Sequence, residues 1–195
     1  MAKKIEFLFD FVSPASWVAY KRMGGIVERT GAHVEMIPVF RGGIMQGSGN
    51  SPPFSVPNKG KYTGIDLARF AKKYGVAMEM NPFFPLNTLP LVRTATALKG
   101  TDRFCAYVDA VFEAVWLHQK NMADRGIAAE VLAAAGFDPA EMQALGESAE
   151  IKQTVKKTTD DAIARGVFGA PTFFVDGEMW FGQDRLDWVE EAAAA

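Results

Sequence analysis

The hydrophobic pattern of this chain changes period twice, and that change restricts its fold more than any other feature. Residues 5–9 (IEFLF) form a compact apolar run with aromatics, the mark of a short buried strand. After the turn Asp10-Phe11-Val12, Ser13-Pro14 offers an N-cap followed by proline at the first helical position. Trp17, Tyr20, Met23, Ile26 and Val27 then recur at helical spacing until Gly31 stops the helix. Residues 34–40 read as a second strand, with Pro38 favouring a sheet edge. The middle differs. Residues 42–60 are rich in Gly, Pro, Ser and Asn and read as a loop with little regular structure. Residues 65–164 read as mostly helical, with one apolar face on Phe104, Val108, Val111, Phe112 and Val115 and another on Ile151, Val155, Thr158 and Ala162. Asp138-Pro139-Ala140-Glu141 is a capped helix start. Gly136 and Gly166 are natural stops. At the end the period returns to two, with PTFFV at 171–175, a tight turn at Asp176-Gly177, EMWF at 178–181 and a last helix over 184–191.

An ordinary sheet protein with helical crossovers would alternate throughout. The order β-α-β, a block of helices, then β-β-α predicts an α/β chain with a thioredoxin-like fold interrupted by a large all-helical insertion. Residues 1–42 and 160–195 would form the thioredoxin-like domain and residues 43–159 the insertion.

Composition narrows the chemistry. A formal net charge of -2 over 195 residues gives no electrostatic footprint for nucleic acid or for an anionic membrane. Cys105 is the one cysteine, so an internal disulfide, a Cys-based metal cluster and a two-cysteine redox cycle are excluded. Among Phe104, Tyr107 and Val108 it reads as a small core residue. His33 and His118 share no ligand spacing, and no metal site is expected. Lys3 and Lys4 are not followed by an apolar run of signal-peptide length, and no run reaches membrane-spanning length. The expected compartment is the cytoplasm, and residues 192–195 read as a frayed helix end.

Two short motifs carry the chemistry. Ser13-Pro14-Ala15-Ser16 sits at the junction of the first strand and helix, the place where thioredoxin-type proteins hold a reactive thiol because a helix N-terminus stabilises thiolate. Serines at both positions have no redox couple, which rules out disulfide exchange. A hydroxyl there can still donate to a thiolate supplied from outside. Gly169-Ala170-Pro171-Thr172 stands just before a strand and suggests a cis Pro171, which would turn the Ala170 backbone toward the first helix and leave its polar groups free to pair with a short peptide.

These motifs resemble the kappa-class glutathione transferases and the bacterial 2-hydroxychromene-2-carboxylate isomerases. The resemblance runs through Asp10-Phe11-Val12-Ser13-Pro14, Gly47-Ser48-Gly49-Asn50-Ser51-Pro52-Pro53 and Asn58-Lys59-Gly60-Lys61-Tyr62 leading to Asp66-Leu67. It continues through Gly169-Ala170-Pro171-Thr172 and Phe181-Gly182-Gln183-Asp184-Arg185-Leu186. It implies glutathione as cofactor, with the Ser13 hydroxyl on its sulfur and the Ala170 backbone beside Pro171 on its cysteinyl part. Asp184, with Gln183 and Arg185, would hold the γ-glutamyl end. Lys59 would face the glycyl carboxylate or the substrate acid, and Asn50 would bond near the sulfur or a substrate oxygen. A small aromatic carboxylate is the implied substrate and a homodimer the implied assembly, with no nucleic acid or membrane partner. The implied reaction is a cis-trans isomerisation; a kappa-type transfer and a noncatalytic glutathione-binding module are the alternatives. Retention of Ser13, Asn50 and Lys59 together speaks against the last. Phe83 and Phe84 could wall an aromatic substrate, whereas Trp180 and Phe181 read first as core.

Overall fold

In the computed structural model, which describes residues 2–194, the opening apolar run becomes β1 (Lys4–Phe9) and Ser13-Pro14 opens α1 (Pro14–Thr30). Ser13 has the extended backbone of an N-cap, and Gly31 ends the helix in the left-handed region at φ 67°. Strand β2 (His33–Pro38) lies parallel to β1, with Ile5 opposite Val34 and Phe7 opposite Met36. Then follow α2 (Arg41–Ser48), α3 (Pro57–Tyr74), α4 (Leu89–Leu98), α5 (Phe104–Trp116), α6 (Arg125–Ala134), α7 (Pro139–Glu147) and α8 (Ala149–Ala164). The chain returns as β3 (Thr172–Val175), β4 (Glu178–Phe181) and α9 (Leu186–Ala194). Met1, at the start of the expected thioredoxin-like domain, and Ala195, of the expected frayed end, lie outside the described residues.

The sheet has the order β2-β1-β3-β4, with β3 antiparallel to both of its neighbours. Pro38 ends an edge strand, where its missing N–H costs no ladder bond. Asp176 (φ 50°) and Gly177 (φ 86°) supply the paired positive φ of a two-residue hairpin turn. Strand alternation divides the apolar residues between two faces. Ile5, Phe7, Phe9, Phe173 and Val175 pack with Trp17 and Ile26 of α1, Phe112 of α5 and Leu186 and Val189 of α9. Leu8 and Phe174 face the other way, toward Ile44 of α2 and Ala162 of α8.

The helical segment shares this core. The Phe112 ring lies 4.9 Å from Phe11, 5.6 Å from Phe9 and 5.9 Å from Trp17, centroid to centroid. Trp116 donates its indole N–H to the Phe11 carbonyl at 2.9 Å. The result is the expected α/β thioredoxin-like fold with a mixed four-stranded sheet and a large helical segment between its halves.

Several expectations need correction. Residues 42–60 are not a loop throughout, because residues 41–48 form α2 and α3 begins at Pro57. Gly42, Gly43 and Gly47 weaken the intrinsic helicity of α2, but two of them admit α8. A Cβ on Gly43 would stand 3.2 Å from Thr159 Cγ2, and one on Gly47 would stand 2.6 Å from Ile163 Cδ1. Helix α8 runs through residues 159 and 160, with Val155 in the main core and Ala162 under the sheet. Cys105 is exposed, since Phe104, Val108, Val111 and Val115 take the buried face of α5 and position 105 falls beside it. Residues 192–194 complete α9: Ala193 is buried, and Lys3 Nζ donates to the Ala192 carbonyl at 3.1 Å.

Candidate functional site

The site begins where β1 hands over to α1. Asp10 is fully buried and accepts from the Val12 amide at 3.2 Å, the Arg41 amide at 2.8 Å and the Thr88 hydroxyl at 2.5 Å. Its carbonyl accepts the Ser13 amide at 3.0 Å. One carboxylate thereby ties together the end of β1, the start of α2 and the residue before α4. Burial pushes the Asp10 carboxyl above its ordinary value, against the Thr88 hydroxyl, the two amides and the nearby Arg41 charge.

Ser13 is 3 % exposed and uses its hydroxyl twice. The oxygen accepts the Ser16 amide at 3.1 Å, and the O–H donates to the Ala170 carbonyl at 2.9 Å. The Ala170–Pro171 peptide is cis, as expected. Asn50 bridges two loops: its amide donates to the Phe168 carbonyl at 2.8 Å, and its oxygen accepts the Ser51 amide at 2.8 Å.

These segments enclose a cleft of about 590 Å³, a volume suited to a small organic ligand. Ser13, Asn50, Lys59, Ala170, Pro171, Gln183 and Asp184 all line it. Arg185 does not. Its guanidinium pairs with Asp184 Oδ2 at 2.6 Å and lies 5.1 Å over the Trp188 ring. Residues Gln183–Arg185 form a 3₁₀ turn, and at about 120° per residue a buried Gln183 leaves Arg185 turned away.

The aromatic walls are Phe54, Phe70, Phe168 and Phe181. Phe181, read first as core, is 40 % exposed, with its ring 4.4 Å from Phe168. Trp180, on the other face of β4, does pack on the core. Phe84 stands behind the wall, edge-on to Phe54 at 4.8 Å, and Phe83 is exposed outside the cleft lining. Sequence reasoning also passed over Asp10 as a turn residue and gave Arg41, between the second strand and the glycine-rich stretch, no role. The signal for Arg41 was weak, because the following Gly42-Gly43 hides the start of a helix.

Gln183 lines the cleft, and its side-chain oxygen Oε1 is buried without a hydrogen-bond partner among the described residues. Lys59 stands exposed on α3, and the Arg41 side chain is half-buried at the start of α2. Chemically, the cleft offers a serine oxygen at the positive end of α1, two cations, Asp184 and an unpaired buried acceptor. It offers no thiol, since Ser13 and Ser16 occupy the thiol positions and Cys105 is not among the lining residues. No described helix is long and apolar enough to cross a membrane.

A mixed sheet of this order, a serine-capped α1 and a cis-proline peptide opposite it define a thioredoxin-fold chain built around a ligand cleft rather than a dithiol. The chain belongs to the DSBA-like thioredoxin domain family, whose pattern matches residues 4–194. It is 32% identical over 196 residues to the 2-hydroxychromene-2-carboxylate isomerase of Sphingobium xenophagum, covering 97% of both chains. It is 28% identical over 207 residues to glutathione S-transferase kappa 2 of Caenorhabditis elegans, covering 98% of this chain and 92% of that one. A solved structure of 2-hydroxychromene-2-carboxylate isomerase superposes with a TM-score of 0.86 at 28% identity, covering 97% of this chain and 93% of that chain. The relatives are those that the motifs indicated.

Proposed function

We propose that the chain is a glutathione-dependent isomerase interconverting 2-hydroxychromene-2-carboxylate and trans-o-hydroxybenzylidenepyruvate. The observation that carries this reading is the Ser13 hydroxyl, held at the N-terminus of α1 against the Ala170 backbone in an aromatic-walled cleft. The curated isomerase relative, matched over almost the whole of both chains, supports it.

The residues present fit glutathione. The unpartnered Gln183 oxygen and the Asp184 carboxylate suit the α-ammonium of the γ-glutamyl end. Lys59 suits a carboxylate, and the Ala170 backbone suits the cysteinyl amide. Bound there, glutathione would supply a thiolate for reversible conjugate addition to the ring-opened unsaturated pyruvate.

The chain's own residues hold that sulfur ionised. Ser16 N–H fixes the Ser13 oxygen, so rotation about the Cβ–Oγ bond redirects the hydroxyl proton from Ala170 to the sulfur position. The hydroxyl and the end of α1 each contribute on the order of 1 kcal/mol, enough to lower a thiol pKa by about one or two units. No general base is needed. Lys59, on the cleft wall, would stabilise developing enolate charge.

The kappa-class relative supports a second reading, transfer of glutathione to another electrophile with release of the conjugate. The resemblance carries with it a homodimer, which light scattering of the purified protein tests. For the reaction, conversion of 2-hydroxychromene-2-carboxylate is followed by absorbance with and without glutathione. The expected result is conversion that requires glutathione, regenerates it and falls about tenfold or more in Ser13→Ala, as loss of a charge-assisted hydrogen bond predicts. Glutathione binding without conversion would transfer the case to the transferase, and conversion without glutathione would end the thiolate reading.

A further inference from the structure

We infer that Arg41 receives a carboxylate of the electrophile and thereby selects acidic electrophiles over neutral ones. The inference rests on the glutathione reading and extends it to the other half of the cleft. Arg41 is the first residue of α2 and lines the cleft. Its guanidinium takes part in no ion pair among the described residues, a state it shares only with Arg69 and Arg93, neither of which lines the cleft, whereas Arg22, Arg29, Arg103, Arg125, Arg165 and Arg185 each have a carboxylate partner. Burial lowers its pKa from the ordinary value, with the Asp10 charge opposing the shift. Partial desolvation of a cation is costly without a paired anion, and Arg41 is half-buried on the wall of the cleft.

Charge matching singles out Arg41. The ammonium of glutathione is matched by Asp184 and the Gln183 oxygen, and one carboxylate by Lys59. The second carboxylate shares its carbon with that ammonium and so stays at the Asp184 end of the cleft. Arg41 is the cation left over. Its anchorage places it at the reacting end: the Arg41 amide donates to Asp10 Oδ2, and the Ser13 amide donates to the Asp10 carbonyl. The residue that would hold the sulfur and the cation thus hang on the same aspartate. A guanidinium offers a planar pair of N–H donors that matches a carboxylate. A neutral electrophile would leave that charge covered and unpaired, which is discrimination against it.

The test titrates glutathione, S-benzylglutathione and S-(4-carboxybenzyl)glutathione calorimetrically into the wild type, Arg41→Gln and Arg41→Lys. The wild type should bind the carboxylated conjugate about tenfold more tightly than its neutral analogue, the scale of one charge-assisted hydrogen-bonded pair. Arg41→Gln should erase that preference with glutathione affinity unchanged, and Arg41→Lys should keep part of it. A preference that survives Arg41→Gln, or is absent from the wild type, overturns the assignment alone. Loss of glutathione affinity in a folded Arg41→Gln chain moves Arg41 to the glutathione half and also overturns it. Failure of all three ligands to bind the wild type overturns the glutathione reading, and this inference with it.

Discussion

The two serines of the first turn of α1 are in opposite states, although each occupies a position where a redox relative would carry a thiol. Ser13 caps the helix and bonds Ala170; Ser16 is wholly buried with a hydroxyl that has no partner among the described residues. Removing an unsatisfied buried hydroxyl relieves a desolvation cost. Ser16→Ala should therefore leave stability unchanged or raise it by up to about 1 kcal/mol in urea denaturation. Ser13→Ala should lower it by about 1–2 kcal/mol through the lost cap and the lost Ala170 bond. A large fall in Ser16→Ala would reveal a bond that the structure does not contain. Asp10 is the other residue under tension. Its folded pKa is raised, so its contribution is complete below the ordinary carboxylate value and is lost as pH rises through the folded value. Asp10→Asn cannot titrate. The stability difference between wild type and Asp10→Asn should change across that window and be flat on either side, as urea midpoints measured against pH will show.

At the scale of elements, packing decides where propensity does not. Helices α4 and α7 approach so closely at Gly146 that a Cβ there would stand 2.6 Å from Thr94 Oγ1 and 3.3 Å from the Pro90 carbonyl. The Thr94 hydroxyl is already bonded to Met142 and Pro90. Gly146→Ala should cost about 1–3 kcal/mol in chemical denaturation, although alanine is the better helix former. The same competition explains what could be read in advance. Strand β1, helix α1, the hairpin and the Asp138 cap were legible because local pattern and final fold agree there. Helix α2 was not, since Gly42, Gly43 and Gly47 suit close contact with α8 and resemble loop residues in one dimension. The cleft was legible wherever a short motif marks a turn or helix end, as at Ser13, Asn50, Ala170 and Gln183. Where Arg185 points was not legible, because side-chain direction in a 3₁₀ turn depends on which neighbour is buried. Phe168, alone between a helix and a strand, carried no signal of its own.

For the molecule as a whole, the continuous aromatic core makes the helical segment and the sheet a single folding unit. Phe112 and Trp116 of α5 contact Phe9, Phe11 and Trp17 directly. Near-ultraviolet and far-ultraviolet circular dichroism should therefore report one coincident unfolding transition in urea, and separated midpoints would show that the helices unfold alone. The order of the sheet bears on how such a chain is made. Strand β1 emerges first during synthesis, pairs with β2 early, and then waits for its other neighbour until Thr172–Val175 has been added. Until then it presents an open, largely apolar edge, the kind of surface that recruits other chains. The Ala170 side of the cleft arrives with that same last stretch. A chain stopped before Thr172 therefore leaves a sticky fragment, and the cleft can close around a ligand only after the whole helical segment has been made.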